Sequence, residues 1–420
     1  MFTLLLLSFA PLLPQNSIFS PGDIVIADPS DSYTSPKICI LHPDGSTNQY
    51  TLPSPITYPD AILVDNDGSL LVSNYQSQWG PNNGIWSIDF TNNSAYQLNI
   101  QPLEDNFKFC RDTEGNLIVA DGFAGLAKIN PSGQVSWFSP PSYSYDPSVG
   151  IALDYDGGFI VSEPPNYLGG SSQPGFIHKV DRLGNRSIIA TDINILPKPQ
   201  GLSIDDDGSI LVSDGFGNVG GGLDRMGVVR VFRDGTMNQI AWGGLLEHPV
   251  DVIPLRYGFM AVADSWDSSI IMVPPGGAAP WRLLWDLDDG LANSNPIGYP
   301  RDLCKIPFLW VNCDSSVGVG NPTQIKIRAL KSWAHQSVLV AASLVQSPTP
   351  LSTLWPGDVR TSHVDLNSAQ WRRGRLGPNG ETNVILTVPY NPHLIGKRLH
   401  IQVFLPRERE MSNYVSLLIR

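Results

Sequence analysis

The stretch Pro199-Gln200-Gly201-Leu202-Ser203-Ile204-Asp205-Asp206-Asp207-Gly208-Ser209-Ile210-Leu211-Val212-Ser213-Asp214 decides the fold. Two short apolar runs, Leu202 to Ile204 and Ile210 to Val212, flank an acidic turn closed by Gly208, which is the signature of a tight antiparallel hairpin. The same grammar recurs along the chain. Pro59-Asp60-Ala61 leads through Asp65-Asn66-Asp67-Gly68 to Leu70-Leu71-Val72-Ser73-Asn74, and the stretches from Asn106 to Asp121 and from Ile151 to Glu163 repeat it. Pro249 to Asp264 keeps both strands around a different turn, Leu255-Arg256-Tyr257-Gly258, while Pro300 to Asp314 shortens the turn around Pro307.

The residues that end each second strand are Asp28, Asn74, Asp121, Glu163, Asp214, Asp264 and Asp314, spaced by 46, 47, 42, 51, 50 and 50 residues. Repeats of roughly 40 to 50 residues made only of strands and turns indicate a β-propeller with one four-stranded blade per repeat. The fold class expected is therefore all-β. Gly22 to Asp28 matches only a second strand, and Arg301 to Lys305 supplies a first strand after five complete blades have passed. The late strand is expected to complete the first blade, giving six. Phe308 to Cys313 then reads as a surplus second strand, which leaves seven blades as the alternative.

From Pro322 the grammar changes. Ile325, Ile327 and Ala329 alternate with Lys326 and Arg328, as in a strand with one wet face. Further strands are expected at 337–342, 362–366, 383–388, 397–405 and 413–419, which suggests a small β-sandwich. The chain thus divides into a signal peptide over 1–18, a propeller over 19–318 and a β-sandwich over 322–420. The leader assignment rests on the apolar Met1 to Leu13, too short to span a bilayer, and no other stretch approaches that length. It implies a secreted, cell-surface or periplasmic protein.

Charge follows the same division. Residues 321–420 hold 12 of the 27 Lys and Arg but 5 of the 39 Asp and Glu, so the repeats are strongly acidic. An acidic propeller repels phosphates, and nucleic acid is excluded as a partner. Cys39, Cys110, Cys304 and Cys313 lack metal-ligand spacing and read as buried thiols. Trp371-Arg372-Arg373-Gly374-Arg375 reads as a solvated basic loop, with an anionic surface or the acidic propeller as its alternative partner.

The blade grammar of Pro-x-Gly, apolar-Asp-x-Asp-Gly and apolar-Val-x-Asp, followed by Gly-x-apolar at Gly84, Gly125, Gly175 and Gly227, resembles the NHL-repeat propellers and the related SMP-30/gluconolactonase-like group. The C-terminal pattern is similar to the immunoglobulin-like modules appended to secreted bacterial propellers. The first resemblance implies a divalent cation, such as calcium, held at the central channel by a Glu, Asn residues and an Asp. Asp60 matches that Asp, although Ala61 replaces the usual Gly, and Asn106 matches an Asn by position. Later blades place Val149, Gln200, Val250 and Arg301 there, and an arginine is hostile to a cation.

Two readings of function follow. In the favoured one, an exported, non-enzymatic propeller binds a protein, peptide or glycan on one rim and needs no cofactor. Strand starts at Gln200, Asp251 and Arg301 and long loops carrying Tyr75, Trp79, Tyr167 and Phe216 form its ligand face. In the alternative, a divalent-metal-dependent hydrolase or lyase works at the channel mouth with Asp60, Asn106 and Glu163. The loop carrying Asp286, Asp288 and Asp289 is a further metal candidate. The acids ending the second strands are expected to cap the loop that follows each of them, with Glu163 the odd member. The acidic turns Asp65 to Gly68 and Asp205 to Gly208 lack the glutamate of a calcium loop and are assigned to turn chemistry.

Overall fold

The structure is a computed structural model, and it describes residues 18–29, 36–65, 68–75, 82–101, 103–122, 124–140, 148–165, 174–215, 226–266, 268–285, 300–306, 309–312, 316–319, 321–329, 334–344, 346–350, 361–406, 410–412 and 415–420. The apolar leader, the long-loop aromatics Trp79, Tyr167 and Phe216, the acids Asp286, Asp288 and Asp289, and Cys313 all lie outside these residues.

Strands dominate the described residues, with short 3-10 turns as the only named helical segments. Six four-stranded antiparallel sheets follow the repeat. Their innermost strands are Pro59–Val64, Asn106–Arg111, Gly150–Leu153, Pro199–Ile204, Pro249–Pro254 and Asp302–Lys305. Each packs beside the next, and Asp302–Lys305 packs beside Pro59–Val64, so the sheets stand around a central channel. Closure is by pairing of the chain's early and late strands: Ile24 faces Lys305, Val25 faces Cys304, Ile26 faces Leu303 and Ala27 faces Asp302.

The apolar hairpins are explained by burial on two sides. Ile210 and Val212 pack with Ile160 and Ile177 of the preceding sheet, whereas Leu211 between them packs with Val252 and Val262 of the following one. The same split sends Val25 and Ala27 toward Ile62 and Val72, and Ile24 and Ile26 toward Ala261 and Ala263. Alternation persists, but both faces are dry, so the runs are continuously apolar. At roughly 25 cal/mol per Å² of apolar surface, these inter-sheet cores are what hold a ring of otherwise thin sheets together. Cys39, Cys110 and Cys304 are free thiols, and burial pushes Cys39 up to about 12.

Turn chemistry accounts for the acidic hairpins. Gly208 adopts φ +84, its N–H donates to the Asp205 carbonyl at 2.9 Å, and the Ser209 N–H donates to Asp207 Oδ1 at 2.9 Å. Arg230 Nη1 neutralises Asp205 at 2.7 Å and Asp207 at 3.1 Å.

The surplus strand has another place. Leu309–Asn312 pairs with Pro322–Ala329, and that strand pairs with Glu381–Thr387, so the repeat grammar before Asp314 builds a sheet of the C-terminal region and not a propeller sheet. A second sheet is built on Ser337–Ser343, Gln370–Arg375, Arg398–Leu405 and Val415–Ile419. Ile325, Ile327 and Leu386 of the first share one core with Val338, Val340, Ile401 and Val403 of the second. The basic cluster at Trp371 to Arg375 is a strand, not a loop. It lies at the edge of its sheet, where arginines protect unpaired backbone groups.

Candidate functional site

The repeat builds the channel through a recurring irregularity. Pro59 pairs with Asn74 and Ala61 with Ser73, leaving Asp60 as an extra residue between two ladder positions. Phe107 and Lys108 are displaced in the same way between Asn106 and Phe109, Gln200 and Gly201 between Pro199 and Leu202, and Val250 between Pro249 and Asp251. A bulge of this kind re-aims side chains, and these residues line the channel together with Val149, Asp251, Arg301 and Asp302. Gly201 is required there because a Cβ would fall 2.2 Å from Asp251 Oδ1 and 2.6 Å from the Val250 carbonyl.

The charges in the channel are committed to one another. The Lys108 ammonium bonds Asp251 and lies 3.0 Å from Asp302 Oδ1, tying three sheets together. Asp251 Oδ2 accepts from the Leu303 N–H at 3.0 Å, and Asp302 Oδ2 from the Ile62 N–H at 2.8 Å. Burial pulls the Lys108 pKa down, but Asp251 and Asp302 outweigh it and hold the ammonium above its usual range. Burial likewise raises Asp302, against the pull of Lys108, and the neighbouring Asp251 adds to the rise. The space between these groups is about 50 Å³. With roughly 30 Å³ per water molecule, it is a constriction and not a ligand site.

Above the constriction lies a cavity of about 740 Å³ lined by Thr57, Tyr58, Asp60, Tyr75, Asp105, Phe107 and Arg301. Arg301 Nε donates to Asp60 Oδ1 at 2.8 Å, and its guanidinium sits 5.8 Å from the centre of the Tyr58 ring. Tyr75 meets Tyr58 edge-on, with centroids 6.4 Å apart, and donates its N–H to the Tyr58 carbonyl at 3.0 Å. Burial raises the Asp60 pKa, and Arg301 opposes the rise. Asp105 is pushed up to about 7 by burial and by the charges of Asp60, Asp121 and Glu104, with Arg301 opposing. Among the described residues its carboxylate takes part in no ion pair.

The acids ending the second strands hold these walls in place. Asn74 Oδ1 accepts from the N–H groups of Thr57 at 2.9 Å and Tyr58 at 3.0 Å. Asp121 accepts from Glu104 at 3.0 Å and Asp105 at 2.7 Å, Asp214 from Lys198 at 2.6 Å, and Asp264 from Glu247 at 2.7 Å and His248 at 2.9 Å. Each of these side chains bonds the loop that enters its own hairpin, 16 or 17 residues earlier, whereas the loops that follow Asn74 and Asp214 lie largely outside the described residues. The reason is register, because the hairpin brings the start of the first strand beside the end of the second.

Glu163 departs from the others, as its length allows. It is fully buried, bonds Arg186 and accepts from Ser148 Oγ at 2.9 Å, and His178 Nε2 lies 3.1 Å from it. Burial alone would raise its pKa, but His178, Arg186 and Ser148 together hold it below the usual carboxylate range. It is not among the residues lining the channel or the cavity.

Of the residues expected on the ligand face, Asp60, Tyr75 and Arg301 meet in the cavity, whereas Gln200 and Asp251 belong to the constriction. Asn106 contributes the first backbone position of its strand. Lys108, Tyr58, Asp105 and Phe107 escaped the sequence reading. The signal for Lys108 was a lone cation in Asn106-Phe107-Lys108-Phe109-Cys110, a strand otherwise fit for burial.

No protein-family model and no curated protein matches the chain. Among solved structures, a chain of the nidogen/laminin complex superposes with a TM-score of 0.51 at 13% identity, over 68% of this chain and 98% of that one. The fold is that of a β-propeller. A Bacteroides caccae protein aligns at 15% identity with a TM-score of 0.46, over 68% of this chain and 99% of that chain. A calcium-binding protein, regucalcin, from Agrobacterium tumefaciens aligns at 12% identity with a TM-score of 0.44, over 78% and 95%. No helix among the described residues is long and apolar enough to cross a membrane.

Proposed function

We propose that the chain is an exported, non-enzymatic binding protein: a six-bladed propeller that receives a protein, peptide, glycan or small ligand in the cavity of Tyr58, Tyr75, Phe107, Asp60, Asp105 and Arg301. One observation carries this reading. A cavity of about 740 Å³ with aromatic walls opens above a channel whose own cations and carboxylates are paired with each other. Its size is that of a ligand site, roughly 300–1,000 Å³, and the polar groups are few and convergent.

The reading assigns the channel no divalent ion. A cation site needs carboxylates with open lone pairs, whereas Asp60 is paired with Arg301, and Asp251 and Asp302 with Lys108, so the donor set suits ammonium and guanidinium groups and not a metal. The suspected acids also do not converge, since Glu163 is spent on Arg186 and His178. We place the boundary to an immunoglobulin-like β-sandwich before Leu309, because Leu309–Asn312 pairs with Pro322–Ala329.

The test is a peptide, glycan and metabolite array with the full chain and Tyr75→Ala, run beside metal analysis and a lactone and ester hydrolysis screen. The expected outcome is a ligand whose capture is lost in Tyr75→Ala while the melting temperature is kept. A stoichiometric metal together with turnover lost in Asp60→Ala would overturn the reading.

A further inference from the structure

From the mouth cavity, and resting on its reading as the ligand site, we infer the chemical class of the ligand: it presents an organic ammonium group, seated against the Tyr58, Tyr75 and Phe107 rings with Asp105 as its counter-ion.

The charge balance of the wall is the first ground. Two carboxylates, Asp60 and Asp105, face one guanidinium, Arg301. Arg301 is bonded to Asp60 at 2.8 Å, which leaves the Asp105 carboxylate without an ion-pair partner among the described residues. A partly buried carboxylate with no ion-pair partner among the described residues is stabilised by a cation brought from outside.

The second ground is the protein's own use of the same wall. Arg301 lies over the Tyr58 ring while bonded to Asp60, which is the combination of π-face and carboxylate that holds a cation. Tyr75, edge-on to Tyr58, and Phe107 extend the aromatic surface next to Asp105. An anionic ligand would add negative charge to a wall where Asp60 and Asp105 already outnumber Arg301. A neutral ligand would leave Asp105 uncompensated.

The third ground is the rigidity of the mounting. Asp121 holds the Asp105 N–H at 2.7 Å, and Asn74 holds those of Thr57 and Tyr58. Gly122, whose Cβ would fall 2.8 Å from Asp105 Cβ, leaves the space in which this residue sits. The acid is thus kept in place by backbone contacts and keeps its carboxylate for another group.

Proton linkage gives a signature specific to the site. The groups acting on Asp105 are Asp60, Asp121 and Glu104, which raise it, and Arg301, which lowers it. Because its carboxyl titrates near neutrality, an ammonium ligand of fixed charge binds more tightly as pH rises through about 7, where the carboxyl ionises.

The experiment is calorimetric titration of the full chain with choline and with 3,3-dimethylbutan-1-ol, its neutral isostere, and with benzylammonium and benzyl alcohol as a second pair. The charged member of at least one pair is expected to bind about tenfold or more tightly than the neutral one, with choline affinity rising several-fold between about pH 5.5 and about pH 8.5. Asp105→Asn should remove both the preference for charge and the pH dependence, with no loss of melting temperature because it relieves repulsion from Asp60, Asp121 and Glu104. Equal binding within both pairs, no binding of either cation, or a preference unchanged in Asp105→Asn would overturn the proposal. An array ligand that needs Tyr75 but ignores Asp105→Asn would overturn the ammonium assignment alone. Absence of any Tyr75-dependent ligand would remove the mouth-cavity reading with it.

Discussion

Replacing Lys108 by methionine tests whether the channel is held together by its charges. The substitution keeps most of the aliphatic stem but removes the ammonium that bonds Asp251 and Asp302, which are 1% and 2% exposed. Breaking a buried ion pair from one side costs about 3–5 kcal/mol, or roughly 5–8 °C in Tm for a propeller of this size. The penalty must depend on pH. Burial already raises the Asp302 carboxyl against the pull of Lys108, so without that ammonium its folded-state pKa lies further above the unfolded value of about 3.9, and its contribution is intact below about pH 4 and is lost as pH rises. The deficit relative to the parent, followed by calorimetry from about pH 4 to about pH 8, should therefore grow with pH. Adding Asp251→Asn and Asp302→Asn removes both charges while keeping carbonyl oxygens for the Leu303 and Ile62 N–H groups, and should restore most of the lost stability. A Lys108→Met protein that melts with the parent at about pH 8, or whose deficit shrinks as pH rises, would refute the reasoning.

Three further outcomes follow from contacts described above. Asp121→Ala leaves the Glu104 and Asp105 N–H groups without their acceptor and should cost about 2–4 kcal/mol in urea unfolding, with the choline preference weakened as well because Asp105 loses its mounting. Glu163→Gln leaves Arg186 buried without its counter-charge and should cost about 2–4 kcal/mol at neutral pH while leaving ligand binding intact. Since the Glu163 carboxyl lies below its ordinary value, its contribution is present above about pH 4.3 and is lost on acidification, so the variant's deficit should shrink toward low pH. Truncation before Pro300 removes the strand that pairs with Ile24–Asp28 and should abolish cooperative melting of the propeller, whereas a sharp transition in that fragment would count against closure by this strand.

The repeat was legible because its signal is local. Each Asp-x-Asp-Gly turn fixes one hairpin, and every second-strand end from Asp28 to Asp264 falls on the last residue of an observed strand. Closure was legible for the same reason, since Arg301 to Lys305 lacked a partner in its own vicinity. The cavity was less so. Tyr58 and Asp105 precede their strands in stretches with no pattern of their own, and the bonds from Asn74 and Asp121, each across 16 residues, bring them to one wall. Lys108 faces the channel because a bulge shifts it off the strict alternation of a strand, a displacement that periodicity does not register. At the C-terminal end, the resemblance of Phe308 to Cys313 to a second strand was real at the level of residues. The pairing partner, Pro322–Ala329, decided where the strand went.

The pairing of Ile24 with Lys305 also sets a clock on biosynthesis. About 280 residues separate these partners, so at roughly 5–20 residues per second the first sheet waits on the order of 15–55 s for its fourth strand. During that interval the edge formed by Ile24–Asp28 has its backbone groups unpaired, and Ile24, Ile26, Cys39 and Leu41 lack the cover later given by Ala261, Ala263 and Leu303. A nascent chain that ends before residue 300 therefore presents an open strand edge to other molecules, an exposure that the finished ring does not have.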